Sequence, residues 1–253
     1  MWELYEELIA GIPADLQVKR AGAGSFWTAV ESELGTGVAG TVKLMTRPPF
    51  GRFKLEGTPL RELAELSKSW NMIEASLGVA ALNAYYNTPE IAKRNGVRFD
   101  AGDERLNDPY IAYRNYARNR RVACIGSDST VVDSLLKDVA EVTMFGEQFG
   151  AFPLSAAEYL LPEQDLVYLP CYYETTKELP RYLNLCRDTV AVVCGPSITM
   201  APALLACGAF DLAGLVITDT ETAFESAYGT AVKKMFAAGK KASLRRDDIK
   251  MLA

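Results

Sequence analysis

The stretch DLVYLPCYYETTKELPRYLNLCRDTVAVVCGPSITMAPALLACGAFDLAGLVIT, residues 165–218, holds three short apolar runs, at 165–170, 189–195 and 214–218. Between them lie ELPRYLNLCRD and MAPALLACGAF, whose composition suits helices. A strand that is apolar on successive residues is covered on both faces, whereas a half-exposed strand alternates. Strand, helix, strand in this rhythm predicts a parallel sheet with helices packed on it. The same rhythm runs back through RVACIG (121–126), STVVDSLLKD (129–138), VAEVTMFG (139–146) and SAAEYLL (155–161). It runs forward into VITDTETAFESAYG (216–229), where Thr218 and Glu221 match a capping box.

The first part of the chain obeys other rules. Residues 2–10 read as a short amphipathic helix stopped by Gly11 and Pro13. DLQVKRAGAG, SFWTAVESEL and GVAGTVKLM then suit an antiparallel meander, with glycine-bearing breaks between them. A helix is expected over about residues 59–66, and Thr88 before Pro89 reads as the cap of another. Between these lies KSWNMIEASLGVAALNAYYN, residues 68–87, apolar around its whole circumference apart from Asn71, Glu74 and Asn83. At 100° per residue Asn71, Glu74, Gly78 and Tyr85 share a broad face and Asn83 points away from it. A buried carboxylate is costly unless compensated. Glu74 therefore either walls a pocket, with Gly78 letting a ligand or a backbone come close, or pairs with Lys68 or Arg61, or caps a neighbouring loop. Residues 96–114 turn polar. The expected organisation is an α+β domain at 1–95, a linker at 96–118 and a parallel-sheet α/β domain at 119–253.

Composition removes whole classes of function. With 32 acids against 27 bases the net charge is −5, which offers no footprint for nucleic acid. No run of roughly 18 uncharged apolar residues signals a membrane span, and the acidic start MWELYEELIAGIP is unlike a secretion signal. A cytoplasmic location is the expectation. The 5 cysteines include no Cys-x-x-Cys pair. The histidine count is 0, which excludes histidine bases, Ser-His and Cys-His nucleophiles and histidine metal ligands together. Chemistry here falls to carboxylates, Lys, Arg, Tyr or a thiolate.

Open parallel sheets bind ligands beyond the carboxyl ends of their strands. Those ends are GSDS (126–129), PCYYE (170–174), GPSITMAP (195–202) and TDTE (218–221). The first keeps only Gly126 of a dinucleotide-binding turn and places Asp128 where a pyrophosphate would lie, so NAD is not expected. In GPSITMAP, Gly195 permits close backbone approach, and Ser197 and Thr199 offer hydroxyls before a helix. Each of these motifs is equally readable as a capped turn. Cys171 closes a strand at its carboxyl end, where a thiol can serve as a soft ligand or a nucleophile once its pKa is lowered.

SWNMIEASLGVAALNAYYN, PEIAKRNGV, RLNDPYI and CGPSITMAPALL together resemble a small prokaryotic family named for heavy-metal chelation. The resemblance spans nearly the whole chain. It implies an enolase-N-terminal-like α+β domain followed by a Rossmann-like α/β domain, with the working site in the cleft between them. It further implies that Asn71 and Glu74 face Cys171 and the GPSIT turn, and that a protein-held metal would use Glu74 and Cys171, with Asp128 or Glu174 as further candidates. The expected ligand is a small anionic molecule or a metal chelate, and the expected cofactor a transition metal ion or that chelate. Lys68, Asn71, Gly126, Asp128, Gly195, Ser197 and Thr199 are the ligand-binding candidates, and Glu74 and Cys171 the chemically active ones. The alternatives are a metal-independent lyase or isomerase acting on a small carboxylate or phosphate, with Glu74 as base, and a carrier without turnover. The oligomeric state is left open, a homodimer included.

Overall fold

The computed structural model describes residues 2–43, 47–49, 55–100, 104–126, 139–147 and 149–246. Helix α1 (Glu3–Ala10) leads into strands β1 (Val18–Ala23), β2 (Trp27–Ser32) and β3 (Thr36–Gly40), an antiparallel sheet in that order. Helix α2 (Leu60–Ala64) and a 3-10 turn (Glu65–Lys68) precede the long helix α3 (Met72–Tyr86), which is followed by α4 (Pro89–Arg94). Short helices α5 (Pro109–Ala112) and α6 (Arg114–Ala117) come before the second sheet. That sheet contains β4 (Arg121–Ile125), β5 (Glu141–Phe145), β6 (Leu166–Pro170), β7 (Val190–Cys194), β8 (Asp211–Ile217) and β9 (Gly239–Arg245). Helices α7 (Ala157–Leu160), α8 (Tyr172–Thr176), α9 (Leu179–Leu185), α10 (Pro202–Ala206) and α11 (Thr220–Tyr228) connect its strands. The chain is thus a mixed α/β protein, an antiparallel sheet followed by a mostly parallel one. No helix among the described residues is long and apolar enough to cross a membrane.

The strand order is β5-β4-β6-β7-β8-β9, parallel from β5 through β8 and antiparallel at β9. Leu166–Leu169 and Val190–Val193 are buried without interruption, as their continuous apolar runs require. β9 has no such signature. Its sequence GKKASLR gives an edge strand whose lysines face water and discourage further pairing.

Helix α3 lies between the two sheets, and its all-round apolar sequence is the physical consequence. Of its residues only Ile73 and Leu77 keep appreciable exposure. Toward the first sheet, β3 approaches so closely that a Cβ on Gly37 would sit 2.0 Å from the Ala84 nitrogen. Asn83 Nδ2 spans the two sides, donating to Val38 O in β3 and to Ser197 O in the turn after β7, both at 2.8 Å. Asn87 Nδ2 donates to Ile198 O (2.9 Å), and Asn87 Oδ1 accepts from the Met200 amide (2.8 Å). One apolar cluster runs from Leu8, Val30 and Leu82 to Val167, Val193 and Leu212, so the two sheets share a core through α3.

The polar segment after residue 96 is strapped across β8 and β9. Arg98 bridges to Ser243, Asn107 donates to Lys241 O (2.9 Å), and Asp108 pairs with Lys241 (2.7 Å). At the start of β8 the buried Asp211 accepts from Tyr113 (3.0 Å), Ser243 (2.9 Å) and Arg245 (2.8 Å). Three donors, one of them cationic, offset the cost of removing that carboxylate from water.

Two local expectations are corrected. α11 is capped by Asp219 and not by Thr218, because Asp219 reaches both the Thr222 amide (3.0 Å) and its hydroxyl (2.7 Å). Thr88 stands at the cap position of α4, yet its hydroxyl donates back to Tyr85 O (2.9 Å) and satisfies the end of α3 instead.

Candidate functional site

Sequential strands in the second sheet place β4 between β5 and β6, so the winding direction reverses between β4 and β6, the place where such sheets open a crevice. Gly126 follows β4 with φ of 60°, and Cys171 follows β6. Gly195 follows β7 with φ of 136°, and a Cβ there would lie 2.2 Å from Cys171 Sγ. Cys171 Sγ in turn lies 3.0 Å from Ser197 Oγ. Gly126, Cys171, Gly195 and Ser197 are therefore brought to one edge of the sheet. Asp128 and the helix expected at 129–138 lie outside the described residues. Thr199 is fully buried and turns inward, bonding Glu174 and Asn83. Burial pushes the Cys171 thiol up, against the opposing bond to Ser197, which favours its protonated form. A recess of about 220 Å³ opens beside this edge, lined by Cys194, Gly195, Pro196, Tyr110, Phe236 and Lys241 among others.

The other candidates gather where α3 begins. Asn71 Oδ1 caps the helix by accepting from the amides of Ile73 (3.1 Å) and Glu74 (3.3 Å), and its Nδ2 donates to Arg47 O (2.9 Å). Glu74 is 5% exposed and accepts from Ser69 Oγ at 2.7 Å. Gly78 faces backbone, not a ligand: a Cβ there would be 1.8 Å from the Ser67 nitrogen. Lys68 is held by Glu65 (2.7 Å) on its own turn. Arg47, Pro48, Pro49, Ser69, Trp70 and Asn71 line a recess of about 390 Å³.

Lys177, which the sequence did not flag, joins the two groups. Helix α8 starts beside Cys171 and ends at Lys177, which adopts left-handed φ of 66°. Its ammonium donates to Ser69 O and to Thr175 O (2.9 Å) and stands 5.6 Å from the Trp70 ring centroid. It forms no ion pair with a described residue, and burial lowers its pKa to about 8. Trp70 is 51% exposed and meets Trp2 edge-on at 5.9 Å. A half-buried cation bonded, among the described residues, to two carbonyl oxygens and the Met72 sulfur, an exposed indole face and a nearby arginine form a setting suited to a flat anion. The available signals were a tryptophan immediately before a helix cap and an arginine before Pro-Pro. Nothing in TTKEL marked Lys177.

Among the described residues no three Cys, Asp or Glu side chains converge as a metal site. With histidine absent, and with Glu74 bonded to Ser69 while Cys171 bonds Ser197, the described candidates do not form a ligand set for a resident metal ion.

Residues 5–86 match the family model DUF4213 and residues 108–245 the model DUF364, both described as "Putative heavy-metal chelation". The chain belongs to the DUF364 family. It is 35% identical to a DUF364 protein of unknown function from Desulfitobacterium hafniense, covering 97% of this chain and 99% of that one, with a TM-score of 0.87 between the structures. A DUF364 protein of unknown function from Pyrococcus horikoshii is 20% identical, with 96% and 98% covered and a TM-score of 0.73, and shares the fold. No curated protein matches the chain. The DUF364 model covers every strand of the second sheet, and the DUF4213 model the first sheet with α3.

Proposed function

We propose that this DUF364 member binds a small anionic chelating molecule in the recess lined by Arg47 and residues 69–71, beside which Lys177 bonds Ser69 O and faces the Trp70 ring. The observation that carries the reading is Lys177: a desolvated ammonium without a carboxylate partner among the described residues, against an exposed indole. An ion left in that condition is stabilised most by an incoming anion. Arg47 adds a second cation at the mouth and Asn71 a polar wall. A heavy metal enters this reading as cargo, held by the ligand's own carboxylates while the protein grips the remaining negative charge.

Calorimetric titration with citrate and nitrilotriacetate, each free and nickel(II)-loaded, tests the proposal. A hydrogen bond to a charged group contributes about 1.5–3 kcal/mol, so Lys177→Met should weaken binding by about 10–100-fold. Lys68→Ala should leave it unchanged, because Lys68 is committed to Glu65. Equal affinity in wild type and Lys177→Met, or no binding of any of these probes, would sink the proposal. The pH dependence has a defined sign. Lys177 is charged below its folded pKa of about 8, so affinity for an anion is highest there and falls as pH rises through that value. A dissociation constant flat between pH about 6.5 and about 9.5 would exclude Lys177 as the anchoring cation.

A further inference from the structure

Behind the sheet edge lies a buried carboxyl that the proposed binding does not use. Glu174, on α8, is 0% exposed. Its Oε2 accepts from the Thr199 amide (3.0 Å), and its Oε1 lies 2.6 Å from Thr199 Oγ1. Thr199 Oγ1 is also 2.8 Å from Asn83 Oδ1. The identity of Asn83's oxygen is fixed by its other contacts. Its Nδ2 faces two carbonyl oxygens, Val38 O and Ser197 O, at 2.8 Å each, and only an NH₂ group satisfies both.

Proton counting then leaves one arrangement. Asn83 Oδ1 can only accept, so the single hydroxyl proton of Thr199 goes to Asn83. Thr199 Oγ1 must then accept across its short contact with Glu174 Oε1, and that proton can come only from a carboxylic acid. We infer that Glu174 is a neutral acid whose proton locks the turn at residues 195–201 onto α3, making it a positioning residue for Ser197 and the Cys171 thiol. This inference is independent of the anion-binding proposal.

The surroundings agree. Tyr5 on α1 faces Glu174 through its phenol, which donates to Glu174 O (2.5 Å) and is itself pushed up by burial, and the Cys171 thiol lies one turn back on the chain. α3 carries one carboxylate, Glu74, bonded to Ser69 at its start, and β3 carries no charged residue. On α9, Arg181 pairs with Glu158, and Tyr182 stacks on Tyr173 at 4.6 Å. The neighbouring Lys177 points its ammonium to Ser69 and Thr175, and Glu178 accepts from Thr176 (2.6 Å). No Lys or Arg among the described residues bonds the Glu174 carboxyl. Burial raises it to about 7, opposed by the bonds from Thr199.

Ionisation reverses the lock. A Glu174 carboxylate would take the Thr199 hydroxyl proton, leaving two acceptors, Thr199 Oγ1 and Asn83 Oδ1, in contact. The Asn83 amide would be pushed off Ser197 O, and Ser197 would loosen its hold on Cys171. Asn87 would still grip Ile198 and Met200, so the release is confined to the Ser197 end of the turn.

Glu174→Gln is the decisive variant, since its amide reproduces the neutral acid: the NH₂ donates to Thr199 Oγ1 and the carbonyl accepts from the Thr199 amide. A group with a raised folded pKa contributes fully below its unfolded value of 4.5 and loses that contribution as pH rises through its folded value. Melting temperatures of wild type and Glu174→Gln, measured across this range, should therefore diverge with rising pH, wild type falling relative to the variant. In wild type labelled with ¹³C-glutamate, one carboxyl carbon, assigned through its backbone to Glu174, should titrate near neutrality. The Ser197 and Thr199 amide resonances should shift with the same midpoint, and should be pH-insensitive there in Glu174→Gln. Parallel melting profiles, or a Glu174 carbon already titrated in the ordinary glutamate range, would overturn the inference. The carbon titration decides even if the variant does not fold.

Discussion

Gly78→Ala is expected to destabilise the protein by about 3–5 kcal/mol, although alanine is the better helix former by about 1 kcal/mol. The added methyl would sit 1.8 Å from the Ser67 nitrogen and 2.4 Å from the Leu66 carbonyl carbon, both backbone atoms that cannot swing aside. Nor can α3 retreat, because the backbone of β3 packs against it at Gly37, with the Ala84 nitrogen 2.0 Å and Ala80 O 2.3 Å from the position of a Cβ there. Overpacking between backbones has no rotamer that relieves it. Urea denaturation midpoints measure the effect. Gly40→Ala is the control: nothing lies within 4 Å of its Cβ position, so its change should stay within about 1 kcal/mol. A Gly78→Ala protein as stable as wild type would refute the close approach of the 65–68 turn to α3.

Asn83→Leu carries the second large expected effect, also about 3–5 kcal/mol. Leucine has the heavy-atom branching of asparagine and favours the helix, so propensity predicts no loss. The loss comes from what stays behind. Val38 O and Ser197 O would be buried without a donor, at about 1–3 kcal/mol for each orphaned group. Thr199 would lose its acceptor as well. A loss below about 1 kcal/mol on chemical denaturation would show that Asn83 does not bind the two sheets together. Asn87→Leu should behave alike but more mildly in the Ser197 region, since its partners are Ile198, Met200 and Leu215.

These two positions also mark how far the sequence could be read. The uninterrupted apolar run from 72 to 86 shows that α3 is covered all round, and Asn83 inside it shows that something polar is met there. Neither reveals that the partners are carbonyls 45 and 114 residues away in the chain. Gly78 announced a close approach, but only the fold shows that the neighbour is backbone. In the sequence Thr199 offers a hydroxyl before a helix and is a ligand-binding candidate. Its amide and hydroxyl instead face the buried Glu174, because the turn rolls inward onto α3. Lys177 was silent, since its importance comes from where α8 ends against Ser69 and Trp70 and not from any local pattern.

The sequence by itself determined the parallel sheet, the antiparallel meander before it, the absence of histidine chemistry and the strand ends at Gly126, Cys171 and Gly195. Those follow from periodicity and composition, which act between residues close in the chain. The tertiary structure alone decided that α3 is clamped between the sheets, that Glu174 is buried against Thr199, and that Lys177 stands against an exposed indole. Such properties arise from desolvation and from hydrogen bonds between distant segments, and both depend on what the folded chain brings alongside.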